Sequence, residues 1–371
     1  MTDRRMWKYF DRLPLESEAN IVTLGEGGTP LLDASATIGA EIGVGSLVLK
    51  AEHLNPTGSF KARIASLAVS LLRERSLAGL VGTSSGNGGA AGAAYAAAAG
   101  SRIVLFTLSD TLAMKRLEIS AVGGAAFRVD GVGHDAASTR RVADMISSAA
   151  RAANFYPMLT GYHYAPEAMA AVETIAFEIA DESPGLTEVY APVGGGGLLT
   201  GLYRGFDRER AETGTAVPTL VGAHPEGASA LPLALAGDAS GMATPVTSTV
   251  SGLQMAVLFD PEGAVSALQS SGGRSRAVSD DEIWQAQHLL ATRCGILVEP
   301  AGATSLAGVI ADARDGRLGS RSHVGAILSG AGYKDTASLA RMVGSAEPPV
   351  ISVTEVGGLL ENLLVSHEAG V

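Results

Sequence analysis

The chain is poor in several things, and each shortage excludes something. It holds one cysteine, Cys294, in 371 residues, which rules out an internal disulfide and a multi-cysteine metal site. A reducing, cytoplasmic setting is the expectation, with Cys294 as a helix-packing residue. A long apolar run is also lacking. The longest small-residue stretch, Gly88 to Gly100, is almost wholly Ala and Gly and stops before Arg102. That is short of the ~20 residues a membrane helix needs, so a buried helix is expected there and no membrane partner. Met1 to Pro14 carries Arg4, Arg5, Lys8 and Arg12 with no apolar stretch after them, which does not read as a signal peptide. Positive charge is scarce as well: Lys+Arg 27 against Asp+Glu 38 gives a net charge of -11. With no basic cluster to offset it, nucleic acid is not an expected partner.

Glycine, by contrast, is abundant at 47 residues, while aromatics make up 5%. Such a composition favours turns that bring backbone close to a small ligand. The length exceeds what one core usually organises, so two lobes, or a large α/β domain with a smaller one inserted, are expected. Short apolar runs alternate with helical patterns. Leu47 to Leu49 precedes Ser59 to Arg75, Leu80-Val81 precedes Gly86 to Ala99, and Ile103 to Leu108 precedes Thr111 to Val122. After a helical pattern at Ala168 to Ala180 come Glu188 to Val193, Leu198 to Phe206, Leu220 to Gly222, Val324 to Leu328 and Asp335 to Val343. This is the rhythm of a parallel sheet. Ser59 and Asp110 are candidate helix caps, Gly100 and Gly123-Gly124 are helix stops, and Gly237 to Ser251 is a candidate irregular crossing or lid.

Four segments carry chemistry. Asn55-Pro56-Thr57-Gly58-Ser59-Phe60-Lys61 places a lysine in the first turn of a helix, where the dipole disfavours a second positive charge and lowers its pKa, as imine formation requires. Thr83-Ser84-Ser85-Gly86-Asn87-Gly88 puts hydroxyls, an amide and glycines at a helix N-terminus, whose unpaired N–H groups suit a carboxylate. Gly194-Gly195-Gly196-Gly197-Leu198 follows a strand and opens a helix, a turn able to wrap a monophosphate. It lacks the P-loop lysine, and its spacing misses the dinucleotide fingerprint. Ser329-Gly330 ends a buried strand with a hydroxyl. Taken singly, each has a plain alternative: a surface lysine, a capping serine with packing glycines, a tight turn.

Taken together, in this order and spacing, they resemble the fold-type II enzymes that use pyridoxal 5′-phosphate (PLP), the group of tryptophan synthase β-subunit, cysteine synthase, serine/threonine dehydratase and threonine synthase. Leu24-Gly25-Glu26-Gly27-Gly28-Thr29-Pro30-Leu31, the Asn55 to Lys61 segment and Gly330 to Asp335 are most similar to threonine synthases, and Glu299-Pro300-Ala301-Gly302-Ala303 to the wider group. The resemblance covers Leu24 to Val343. It implies two three-layer α/β domains with parallel-rich sheets, the large one from residues 1–58 and 166–371 and a smaller mobile one, 59–165, inserted in it. It further implies that Lys61 forms the Schiff base and shuttles the α-proton, that Asn87 meets the cofactor's phenolic oxygen, and that Gly194 to Gly197 with Leu198 hold its phosphate. Ser329 takes the pyridine-nitrogen place, leaving that nitrogen largely unprotonated, and Thr83, Ser84 and Ser85 with Asn87 receive the substrate carboxylate. The implied activity is elimination or replacement at Cβ or Cγ of an amino acid, by a homodimer.

One segment departs from the pattern. Where threonine synthases carry Asn-Pro-x-Arg and then Gly-x-Lys-Thr, this chain has Ala165-Pro166-Glu167-Ala168 and Ala171-Val172-Glu173-Thr174. Ala168 and Glu173 replace the two cations and Glu167 adds a negative charge, so a phosphate dianion would be repelled there unless Lys115 or Arg116 substitutes. Ala62 stands where an aspartate is common.

Overall fold

The computed structural model describes residues 4–84, 86–133, 135–228, 230–238, 246–344 and 347–368. Among the described residues ten strands form two sheets: β1 Leu31–Asp33, β2 Ser46–Lys50, β3 Leu80–Thr83, β4 Ile103–Leu108, β5 Ala125–Val129, β6 Tyr156–Met158, β7 Glu188–Pro192, β8 Thr219–Pro225, β9 Arg274–Val278 and β10 His323–Ile327. The six-stranded sheet runs β1-β2-β10-β7-β8-β9 and the four-stranded one β5-β4-β3-β6. Every pairing is parallel except β1 with β2. In sequence, the whole four-stranded sheet lies between β2 and β7.

Successive side chains of a strand face opposite sides, and both sides are covered. Val189, Ala191 and Leu220 join one apolar core with the helices Lys61–Glu74 and Gly197–Thr213, whereas Tyr190 and Val221 join another with Asp280–Cys294 and Pro300–Arg314. In the smaller sheet, Leu80 and Leu105 face the first core, while Val81 and Phe106 face a cluster with Ala143 and Ile146 of the helix Ala136–Ala152. Each sheet is therefore the middle of three layers.

Several local expectations need correction. Ser59 caps nothing: Phe60 is the N-cap, and Ser59 instead makes an antiparallel bridge to Gly330. Helix Ala113–Ala121 starts at Leu112 without a side-chain cap, so Asp110 does not serve there. The pattern from Ala168 to Ala180 breaks into a short helix Pro166–Met169, a 3-10 turn Ala170–Val172 and a helix Glu173–Glu182. Of the expected crossing at Gly237 to Ser251, residues 239–245 lie outside the described residues.

The topology converges on one place. Strands β2, β10 and β7 are adjacent and parallel, so their carboxyl ends release the segments 51–61, 328–335 and 193–197 side by side. The carboxyl end of β3 releases 84–88 from the smaller sheet. Ligands of open parallel sheets bind outside such ends.

Candidate active site

Lys61, Thr83, Ser84, Asn87, Gly194, Gly195, Gly196, Gly197, Leu198 and Ser329 all line a single cavity. Ser85 lies outside the described residues. A larger neighbouring cavity of about 400 Å³ shares Leu108 and Gly252 with it and contains none of the expected site residues.

Lys61 opens its helix directly after the bridge to the Ser329 loop, where the Phe60 N–H donates to Ser329 O (3.2 Å) and the Ala331 N–H to Gly58 O (2.8 Å). Main-chain pairing therefore fixes the lysine against the loop that carries the serine. The side chain keeps some solvent contact through the cavity, yet protein surrounds its amine. Burial lowers its pKa to about 8, opposed by the charge of Asp260. The direction is the one expected from sequence, where the helix dipole was the cause invoked; desolvation is the larger cause.

Behind Lys61 stands a buried ionic lattice. Arg63, fully buried, donates to both Glu52 oxygens (2.6 and 2.9 Å) and both Glu178 oxygens (2.6 and 2.8 Å). Lys50 adds a 2.8 Å pair to Glu178. Burial pushes Glu178 up, but Arg63 and Lys50 outweigh it and hold the carboxyl well below the usual range. The glycine-rich stretch from Leu24 to Leu31 closes on the same lattice, through the Gly28 N–H to Glu178 and Thr29 Oγ1 to Glu52. Helix Lys61–Glu74 is thus tied, through Arg63, Glu178 and Lys50, to the end of β2.

The four-glycine turn is held from the other side. Gly195 O accepts the N–H groups of Phe259 (2.9 Å) and Asp260 (3.0 Å), while the Asp260 carboxylate accepts those of Tyr162 (2.8 Å) and His163 (3.0 Å). Gly196 has φ +91, a conformation L side chains rarely adopt, and a Cβ on Gly197 would stand 2.6 Å from Met169 Cε. The turn needs glycine for its backbone path as well as for an open face.

Other expected roles are modified. Ser84 Oγ accepts the N–H of Gly86 (3.3 Å) and Gly89 (2.7 Å), so the hydroxyl shapes the loop as a cap. Among the described residues Ser329 Oγ makes only a 3.5 Å contact to Ala301 O, and Asn87 Oδ1 is buried without a hydrogen-bond partner. The charges read as hostile to a phosphate do not line the cavity: Glu167 pairs at the surface with Arg75, and buried Glu173 pairs with Arg204 and Arg208. Nor does Arg116 substitute, because it donates to Thr111 O. Lys115 is fully buried beside the site, paired with Glu299 at 3.0 Å. Glu299, Asp260 and the lattice residues were not assigned roles from sequence; the segment beginning at Glu299 was the one signal available.

A family model described as pyridoxal-phosphate dependent enzyme matches residues 22–330. The chain belongs to that family. Threonine synthase of Methanocaldococcus jannaschii is 32% identical over 351 residues, 92% of this chain and 83% of that protein. Threonine synthase of Mycobacterium tuberculosis is 34% identical over 358 residues, 94% of each. Among solved structures, a threonine deaminase from T.th. is 30% identical with a TM-score of 0.66, covering 82% of this chain and 92% of that one. The protein is thus a PLP-dependent enzyme of the threonine synthase-like, lyase/synthase kind. Its own residues fit the cofactor: a buried amine of lowered pKa, an open glycine turn at a helix N-terminus, an Asn87 amide whose NH₂ gives one N–H to Glu299 and keeps a second, and a serine hydroxyl with one long contact. Among the described residues, no helix is long and apolar enough to cross a membrane.

Proposed function

We propose that the enzyme holds PLP on Lys61 and removes the neutral β-substituent of a hydroxy amino acid such as serine or threonine, giving a 2-oxo acid and ammonia. The observation that carries this reading is the cavity wall. Among its described residues Lys61 is the single cation and Glu299, held by Asn87 and Lys115, the single anion, and the substrate side is built from the neutral Leu108, Val132, Thr139, Thr160, Met255 and Phe259. Lys115, which packs against the lining residue Gly86, already has Glu299 as counter-charge. A neutral leaving group suits that wall better than a phosphate dianion, which loses its hydration on entry and gains no partner.

When bound, PLP supplies the electron sink for the charge left at Cα after its proton departs. The chain supplies the rest. Gly194 to Gly197 and Leu198 cradle the phosphate with main-chain N–H groups at a helix N-terminus. Ser329 faces the pyridine nitrogen as a neutral partner, and Asn87 donates to the phenolic oxygen. The substrate carboxylate rests on the loop of Thr83, Ser84 and Asn87. Lys61 Nζ, whose pKa is lowered to about 8 so that a neutral fraction is within reach at physiological pH, takes the Cα proton and then protonates the departing hydroxyl. Residues 59–165 form the smaller unit that closes over substrate against 1–58 and 166–371, and the enzyme works as a cytoplasmic homodimer, a state that sedimentation velocity tests.

A second reading is favoured by the 32–34% identity to threonine synthases over more than nine-tenths of the chain: release of phosphate from phosphohomoserine with formation of threonine. An amino-acid panel decides. Purified enzyme with PLP is given serine, threonine, their O-phosphates and phosphohomoserine, and 2-oxo acid, ammonia and inorganic phosphate are measured. Oxo acid from serine or threonine supports the proposal; phosphate release from phosphohomoserine alone overturns it in favour of the second reading.

A further inference from the structure

Glu299 precedes the helix Pro300–Arg314 as its N-cap, is 1% exposed and stands in the cavity wall. Its two oxygens are divided. Oε1 accepts from Asn87 Nδ2, and Oε2 lies 3.0 Å from Lys115 Nζ. Lys115, which also contacts Ser251 Oγ at 3.3 Å, is fully buried. Asn87 and Lys115 come from the smaller sheet's helices Asn87–Ala98 and Ala113–Ala121, whereas Glu299 comes from the larger unit. Gly330 keeps the meeting point open, for a Cβ there would stand 2.1 Å from Glu299 Oε1 and 3.0 Å from Asn87 Nδ2.

An amide viewed alone can present either end to a neighbour. A carboxylate only accepts, so contact with Glu299 turns the Asn87 NH₂ toward it and sends Oδ1 the other way. Among the described residues that buried Oδ1 has no partner, and the NH₂ keeps a second N–H beyond the one given to Glu299. We infer that Glu299, with Lys115 as its counter-charge, is a positioning residue that locks the orientation of the Asn87 amide, so that a donor and not an acceptor meets the cofactor oxygen beside it. This rests on the proposed placement of PLP against Asn87. A glutamine at 299 offers an acceptor and a donor alike, so the amide is free to settle either way round. Lys115 completes the arrangement because a lone buried carboxylate is costly, and so is a lone buried ammonium.

The test compares wild type with Glu299→Gln, Lys115→Met, the double variant E299Q/K115M, Asn87→Ala and the combination N87A/E299Q. Each is measured for PLP dissociation constant, absorption band of the bound cofactor against pH, and thermal midpoint. The double variant leaves no unpaired charge and should melt close to wild type, yet bind PLP about tenfold more weakly with a shifted band titration, the scale of one misplaced hydrogen bond. In the Asn87→Ala background, Glu299→Gln should have no further effect on affinity, because the amide it positions is gone. A double variant with wild-type affinity and titration overturns the positioning role alone, as does an undiminished effect of Glu299→Gln without Asn87. Wild-type protein that leaves PLP unbound would overturn the cofactor placement itself, and the positioning role with it.

Discussion

Two buried polar regions lie a few residues apart along the chain, and they are finished differently. Around Arg63, the guanidinium, Glu52, Glu178, Lys50, Thr29 and Thr174 direct their hydrogen bonds to one another. Around Lys61 the pairing among the described residues is left open: Asn87 Oδ1 has no partner there, Ser329 Oγ has one long contact, and the amine has a depressed pKa because its burial outweighs the charge of Asp260. Buried polar groups are normally satisfied. The first region is therefore scaffold, and the shortfall in the second is capacity held for a ligand.

The most damaging way to break this contrast is Lys61→Ala. It should lower kcat by about three orders of magnitude or more, since a covalent anchor and a proton carrier go together, while circular dichroism and thermal midpoint stay near wild type. Arg63→Met should do the opposite, costing about 3–5 kcal/mol in urea unfolding because Glu52 is left buried without a cation and Glu178 with Lys50 alone. Gly196→Ala lies between: strain of about 1–2 kcal/mol at a left-handed position, with roughly tenfold weaker PLP binding.

The smallest effect is the most diagnostic, because the charged form stabilises one region and costs stability in the other, while both contributions improve as pH rises, each in its own window. Glu178 has a lowered pKa, so the unfolded chain binds its proton first; the stability it contributes is present above the ordinary carboxyl range and lost as pH falls below it. Lys61 is lowered by burial, so its charged form costs stability below about 8, and the cost fades as pH rises from there toward the ordinary lysine value. Cofactor-free Lys61→Met should accordingly be more stable than wild type at pH 7, by roughly 1 kcal/mol after allowing for solvent contact through the cavity, with the gap closing in alkaline solution. A gap that widens instead would mean that the amine is stabilised, not strained, where it lies.

The open region was legible in the sequence and the closed one was not. Loop chemistry is local: Lys61 after a Pro/Gly turn, and four glycines between strand and helix, show their purpose in short words. The lattice joins residues as far apart as Arg63 and Glu178, 115 positions along the chain, and charged side chains read by default as surface. The same limit explains the strands that were missed. β5 and β9 are edge strands with exposed or polar faces, Ala-Ala-Phe-Arg-Val and Arg-Ser-Arg-Ala-Val, so neither an apolar run nor a clean alternation marks them. It also explains why Glu167 and Glu173 were misjudged: their charge is visible in the sequence, while Arg75, Arg204 and Arg208, which answer it, are brought in by folding.

One measurement addresses the central claim that the unfinished cavity is a PLP site built on Lys61. The protein is mixed with PLP, reduced with borohydride, digested and mapped by mass spectrometry. The expected result is a yellow protein that bleaches on reduction, with a single pyridoxyl adduct on the peptide containing Lys61. A colourless protein, or an adduct spread over surface lysines with position 61 unmodified, would contradict it.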